Sequence, residues 1–420
     1  MTSDPVPSGL DAAPGHRPDV PGRVELETLL AAAPGRVSGP ITDQAPVAAA
    51  IDAGPAGCWT VHIERDGRVL RTDGVGKRVR ATIHADADTL IAMLSGRESG
   101  VGAFMKGRLT VRGSLALSLL LEGALSTGER PARFPHPATA AVGGIRTPYL
   151  DAGPSDAPVV VMLHGLGATN ASMLPTIWDL ATDYHVVAPD LPGFGIADKP
   201  IAPYSAEWFG GWLEGFCDAL GLDRFFLLGN SLGGRVAIEG GLQMPDRVRG
   251  LVLLAPSPAF RKLRQFVPIV RLLRPELAVL PLPLGHDTAV AGLRRMFAVP
   301  DRLLQSWYEA AADEFLLVMS ELRGRIAFFA AMRQIYLEEA FGERGFWERL
   351  PGLRPPALFV WGKQDRLVPH GFARHVAEAL PDCQSVVLED CGHVPQFELP
   401  GETHELVRSF LARTASAEAR

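Results

Sequence analysis

The chain lacks the features that mark several large protein classes. It has only four cysteines in 420 residues, Cys58, Cys217, Cys383 and Cys391, and their spacing matches neither a disulfide framework nor a zinc site. Reduced thiols in a cytosolic protein are the simplest reading. No apolar run reaches the ~18 residues that a membrane-spanning helix requires. The opening residues 1–21 are polar and rich in proline and glycine. They read as a disordered tail, without the basic-then-apolar order of a secretory signal, and the expected location is cytoplasmic. Positive charge is not in excess. The net charge is −6, which argues against a general nucleic-acid binder. What the chain does have is a 47% hydrophobic composition with 21% charged residues, enough for a full core in two or three domains.

The texture changes along the chain. From Val24 to Leu125 it is α+β. Val24–Leu30 has helical periodicity, and Trp59, Val61 and Ile63 alternate with polar residues as in a half-buried strand. Arg68–Thr72 and Lys77–His84 read as further strands split by a turn at Gly74–Gly76. Asp86–Thr89 supplies capping residues for a helix through Leu90–Leu94. Phe104 and Met105 lead into a short strand, Leu109–Arg112, and Gly113 opens a helix that is apolar on nearly every face. Residues 126–139 form a Pro-rich linker and mark a boundary. Beyond it, apolar strand-length runs alternate with helical segments: Val159–Leu163, His185–Ala188, Arg224–Leu228, Gly250–Leu254, Ala357–Trp361 and Ser385–Leu388. That rhythm predicts an α/β fold with a mostly parallel sheet covered on both faces. It stops between about residues 256 and 350, a segment that reads as a helical cap over the carboxyl ends of the strands, where ligands bind in open α/β sheets.

Gly229-Asn230-Ser231-Leu232-Gly233 is the most informative stretch. It lies between a strand and a small-residue helix, the context in which a strained turn lifts a serine hydroxyl above a sheet. An acid and a base should follow in that order. Asp365 follows one apolar strand and His393 follows the next, so their loops emerge at the same sheet edge as Ser231. The pattern makes Ser231 a candidate nucleophile, His393 a general base and Asp365 the group that holds the imidazole tautomer. The backbone N–H groups of Leu232 and Leu166 are the candidate oxyanion donors, with Gly165 the alternative to Leu166. His164 reads as a loop-orienting residue. Asp390 and Glu398 read as caps. No metal or organic cofactor is implied.

With these motifs in place, residues 140–415 resemble the α/β-hydrolase superfamily. The matching stretches are Leu163–Gly167, Pro189–Gly195, Gly229–Gly234, Trp361–Asp365 and Gly392–Gln396. The resemblance implies a serine esterase or lipase acting through an acyl-enzyme, with a thioesterase close in mechanism. The serine nucleophile disfavours the branches that use aspartate there. Ile196 stands where relatives often carry serine. Gly-Asn-Ser-x-Gly-Gly also resembles the carbon–carbon hydrolases of ring-fission products, but those place tryptophan after the histidine and this chain has Val394. Residues 22–125, through Gly57–Val61 and Ala103–Ser114, resemble a sterol-carrier (nonspecific lipid-transfer) domain. That implies a five-stranded sheet and helices around an apolar tunnel for acyl chains or sterols. A packed scaffold is the alternative, as is a lipid carrier with a scaffold hydrolase fold. The expected partner is an apolar ester or lipid. Residues 260–274 hold five cations and no anion, a stretch that can rest on an anionic membrane or form a solvated helix face.

Overall fold

The computed structural model describes residues 20–259, 279 and 284–418. The basic stretch 260–274 and most of the expected tail lie outside them.

Arg23–Ala32 forms α1, with Leu26 and Leu30 on its buried face. A five-stranded sheet follows, built from β1 (Val47–Asp52), β2 (Cys58–Ile63), β3 (Val69–Asp73), β4 (Ala81–Ala85) and β5 (Leu109–Gly113), in the order β3-β2-β1-β4-β5. Only the β1–β4 pair is parallel. The strand expected from Lys77 begins only at Ala81, because residues 77–78 are in a turn. Asp86 caps α2 (Ala87–Leu94) by accepting the Thr89 N–H at 2.7 Å. Phe104 and Met105 close a short helix, α3 (Gly100–Met105). Ser114 caps α4 (Leu115–Leu125), taking the Leu117 N–H at 3.1 Å. One apolar cavity lies where the acyl tunnel is expected. Between the sheet, α3 and α4 it holds about 20 Å³, room for about one water, and its walls include Phe104, Leu115 and Leu119.

The boundary differs from the expected 126–139 linker. Strand β6 (His136–Val142) starts inside it and pairs antiparallel with β7 (Ile145–Ala152). Pro137 is tolerated because β6 is an edge strand, where a missing N–H breaks no interior ladder. The segment before β6 is packed: Phe134 is buried and stacks on Trp178 with ring centroids 6.1 Å apart.

The large sheet adds β8 (Val159–Leu163), β9 (His185–Pro189), β10 (Phe225–Asn230), β11 (Val248–Leu254), β12 (Ala357–Gly362) and β13 (Gln384–Leu388), in the order β13-β12-β11-β10-β8-β9-β7-β6. From β9 to β13 every pairing is parallel. Chain order reverses between β8 and β10, which opens a crevice at their carboxyl ends. Helices α5 (Leu174–Leu180), α6 (Ala206–Ala219) and α7 (Leu232–Gln243) connect these strands. The cap contributes α8 (His286–Arg294), α9 (Gln305–Ser320), α10 (Leu322–Leu337) and the short α11 (Phe346–Arg349). Helices α12 (Phe372–Ala379), α13 (Pro395–Glu398) and α14 (Pro400–Glu418) complete the chain.

A Pro-rich linker suggests separate halves, but the two sheets share one core. A single apolar cluster runs from Leu26, Ile51 and Leu119 to Leu150, Val160, Met162 and Val360 on one face of the large sheet. Trp178 of α5 covers α3 so closely that a Cβ on Gly102 would lie 2.9 Å from its ring. Alternate strand residues, Val161, Leu163, Leu227 and Phe359, build the second core on the opposite face.

Candidate active site

The serine turn is fixed by what glycine alone permits. Ser231 has φ 55° and ψ −115°, a conformation that costs an L-residue about 1–3 kcal/mol. The turn fits only because its neighbours lack side chains. A Cβ on Gly229 would lie 2.3 Å from the Gly233 carbonyl carbon, and one on Gly233 would lie 2.0 Å from Leu163 O. Helix α7 therefore packs directly on β8 and β10. The turn is tied down by Ser231 N donating to Leu254 O at 3.0 Å and Ser257 N donating to Ser231 O at 3.1 Å. Ser257 Oγ sits 3.4 Å from Ser231 Oγ, and among the described residues it is that hydroxyl's side-chain partner.

Asp365 and His393 come together as the strand order predicts. Asp365 Oδ2 lies 2.7 Å from His393 Nδ1, with both side chains almost fully buried. Asp365 Oδ1 accepts the N–H groups of Leu367 at 2.8 Å and Val368 at 2.9 Å. One oxygen is thus saturated by the loop and the other is left to orient the imidazole. The two loops are bound to each other: Gln364 N donates to Cys391 O at 2.9 Å, and Cys391 N donates to Gln364 Oε1 at 3.2 Å.

Two polar residues fix the histidine loop in space. Asn230 Nδ2 donates to Leu254 O at 3.0 Å and to His393 O at 3.2 Å, so the residue before the serine also holds the histidine backbone. Glu398 is buried and joins the loop to the cap, accepting Gly392 N at 2.6 Å and Val299 N at 2.7 Å. His393 N itself donates to Met296 O at 2.8 Å. Asp390, by contrast, is exposed, beside Arg302.

The loop after β8 lies beside the serine: a Cβ on Gly165 would be 3.4 Å from Ser231 Cβ. His164 orients this loop, as its position suggests. Its Nε2 accepts the Leu191 N–H at 2.9 Å, so the proton is on Nδ1, which donates to Gly165 O at 2.8 Å. Burial holds the ring neutral and pushes its pKa down to about 4. The Leu232 N–H, at the start of α7, is a donor that a helix leaves unused. Among the described residues neither it nor the Leu166 N–H donates to a protein acceptor. One departure from the family pattern, Ile196, lies nearby. Asp190 accepts the backbone N–H of Ile196 at 2.9 Å, so a serine side chain is not needed there. Gly195 is required, since a Cβ would meet Asp190 Oδ2 at 2.1 Å.

The described part of the cap presents aromatic rings to the loop after β8. A Cβ on Gly167 would lie 2.9 Å from Phe328 of α10 and 3.2 Å from Phe315 of α9. The two rings pack edge to face at 5.8 Å. Sequence reading missed Ser257, Asn230 and the bridging role of Glu398. Asn230 stands in the serine motif and Glu398 was read as a cap; nothing in the pattern around Ser257 singles it out.

Residues 158–400 match the family described as alpha/beta hydrolase fold, and residues 46–126 match the SCP-2 sterol transfer family. The chain is 28% identical over 279 residues to a 2-hydroxy-6-oxononadienedioate/2-hydroxy-6-oxononatrienedioate hydrolase of Dechloromonas aromatica, covering 63% of this chain and 89% of that protein. It is 27% identical over 272 residues to a monoacylglycerol lipase of Homo sapiens, covering 62% of this chain and 77% of that protein. Among solved structures, a bacterial membrane phospholipase A superimposes with a TM-score of 0.57 at 27% identity, over 68% of this chain and 88% of that one.

Proposed function

The chain belongs to the α/β-hydrolase family, and from that premise we propose that it is a serine hydrolase of carboxylic esters with a lipid-like acyl group. The observation that carries the reading is the buried Asp365–His393 pair at 2.7 Å, set at the same sheet edge as the strained Ser231 turn. In this reading Ser231 Oγ attacks the ester carbonyl and His393 takes its proton. The Leu232 and Leu166 N–H groups receive the developing oxyanion. Collapse expels the alcohol, protonated by His393, and leaves an acyl-enzyme. Water, deprotonated by the same imidazole, then releases the acid. Asp365 holds the proton on Nδ1 throughout, so that Nε2 is the basic nitrogen.

The second reading is carbon–carbon bond hydrolysis, favoured by the relative named for a ring-fission dioate. A dicarboxylate needs cations around its binding pocket. Phe315 and Phe328, two cap side chains beside the loop after β8, suit an apolar acyl chain. The small domain is proposed to bind the same class of lipid. The test is a chain-length series of p-nitrophenyl and thioester substrates run beside a ring-fission dienoate. The ester reading expects kcat/KM to rise with acyl length, by up to about fourfold for each buried methylene. Preference for the dienoate over every ester would overturn it.

A further inference from the structure

Helix α9 touches both the small domain and the candidate active site. Toward the small domain, the Trp307 indole donates to Phe104 O at 3.1 Å. Asp313 Oδ2 accepts the Gly113 N–H at 2.7 Å and the Arg112 Nε–H at 2.8 Å. Glu314 Oε1 accepts the N–H groups of Leu115 at 2.5 Å and Ala116 at 3.2 Å, capping the start of α4. Toward the active site, Phe315 lies against Gly167 of the oxyanion loop. Trp307 also packs edge-on against Phe397 at 5.6 Å, just beyond His393.

Phe104 and Leu115 have a second role. They are walls of the apolar cavity in the small domain, together with Ile83, Val101, Val111 and Leu119. That cavity holds only about 20 Å³, so an acyl chain enters only by pushing its walls apart. Two of those walls carry the backbone carbonyl and amide that hold α9. A ligand that displaces the backbone of Phe104 and Leu115 along with their side chains carries with it the carbonyl and amide that hold α9, and so moves the ring beside the loop after β8.

We infer that the small domain is an acyl-chain sensor for the hydrolase: a fatty acyl ligand in its cavity repositions cap helix α9 and changes turnover at Ser231. Coupling runs through Trp307, Asp313 and Glu314, which are positioning residues. By linkage, any factor by which the acyl ligand changes substrate affinity at the active site is the factor by which substrate changes acyl affinity in the small domain.

The test uses the full chain and 11-(dansylamino)undecanoic acid as probe. Hydrogen exchange is followed in residues 100–121, which wall the cavity, and in residues 305–320 of α9. Turnover of p-nitrophenyl acetate is measured in parallel. The expected result is a change in both segments with one midpoint, and a kcat that moves to a plateau at that midpoint. The shift in exchange across 305–320 should be about fivefold or more. Competition at Ser231 would instead raise KM without limit. Ser118→Leu overfills the cavity and takes the ligand's place; without probe it should already show the exchange of the probe-bound parent in both segments, and probe should change neither further. Trp307→Phe combined with Asp313→Ala should keep the change at 100–121 and lose most of that at 305–320. The inference is overturned if the probe leaves 100–121 unchanged, or changes it without α9 responding. It is equally overturned if the α9 response survives in either variant. The turnover readout rests on the ester-hydrolase reading. Absence of turnover without probe would refute that reading alone, because exchange still decides the coupling.

Discussion

Replacing Asp365 with asparagine separates the tautomer-setting role of the acid from its packing role. In the parent, Asp365 Oδ1 is fully engaged by the Leu367 and Val368 N–H groups, at 2.8 and 2.9 Å. The asparagine oxygen will therefore keep that position, since an NH2 group there would face two donors. Its NH2 must then point at His393 Nδ1, 2.7 Å away in the parent. Nδ1 becomes an acceptor, the ring proton moves to Nε2, and the nitrogen proposed to take the serine proton is no longer basic. The imidazolium also loses its counter-charge in a site where both groups are buried. Losing the correct tautomer in such a triad costs ~10³–10⁴ in kcat, or about 4–5.5 kcal/mol of transition-state stabilisation. The variant should unfold in urea close to the parent midpoint, because shape and both loop hydrogen bonds survive. The assay is kcat for p-nitrophenyl butyrate at neutral pH. Activity within tenfold of the parent would refute the assignment of Asp365 as the orienting acid.

Other consequences follow from the same geometry. Gly233→Ala places a Cβ 2.0 Å from the fixed carbonyl of Leu163, so urea unfolding should show a loss of about 3 kcal/mol or more, and an unchanged midpoint would contradict the close packing of α7. His164 is neutral in the fold, with its pKa pushed down to about 4 from 6.5 by burial. The unfolded chain therefore binds a proton that the fold refuses between those values. The resulting stability is fully present above about pH 6.5 and is lost as pH falls toward 4, about 3 kcal/mol in all. Urea titrations at pH 7 and 4.5 should show the parent losing about 2.5 kcal/mol more than His164→Gln, whereas parallel losses would refute it. Glu398→Ala removes the carboxylate that takes both Gly392 N and Val299 N. It should cost about 1.5–3 kcal/mol and lower kcat by displacing His393; full kcat would mean that the bridge only stabilises.

The candidate site was legible because the proposed chemistry demands particular residues at fixed offsets. Glycines flanking Ser231 have no substitute in so tight a turn, and Asp365 and His393 are fixed by strand order. Strand β1 was not legible. Its centre is Ala48-Ala49-Ala50, residues with no preference for a sheet, and tertiary burial alone holds them there. The β6–β7 hairpin was obscured by Pro137 and Pro148, although Gly143-Gly144, both with positive φ at 56° and 84°, are the turn residues such a hairpin uses. The join between the halves was hidden in α4. A helix apolar on every face records that it is buried but not by what. One face packs in the small domain, and its start is capped by Glu314 from α9, far away in sequence. The aromatic cap contacts at Gly167 were hidden for a similar reason, since they join segments that share no periodicity.

The central claim is that Ser231 forms an acyl-enzyme. The most direct measurement is mass spectrometry of the full chain quenched in acid during turnover of a p-nitrophenyl ester, followed by peptide mapping. The account predicts an added acyl mass on the peptide carrying Ser231. Ser231→Ala should lack that adduct and lose ~10³-fold or more in turnover. An adduct on another residue, or parent-like turnover by Ser231→Ala, would contradict it.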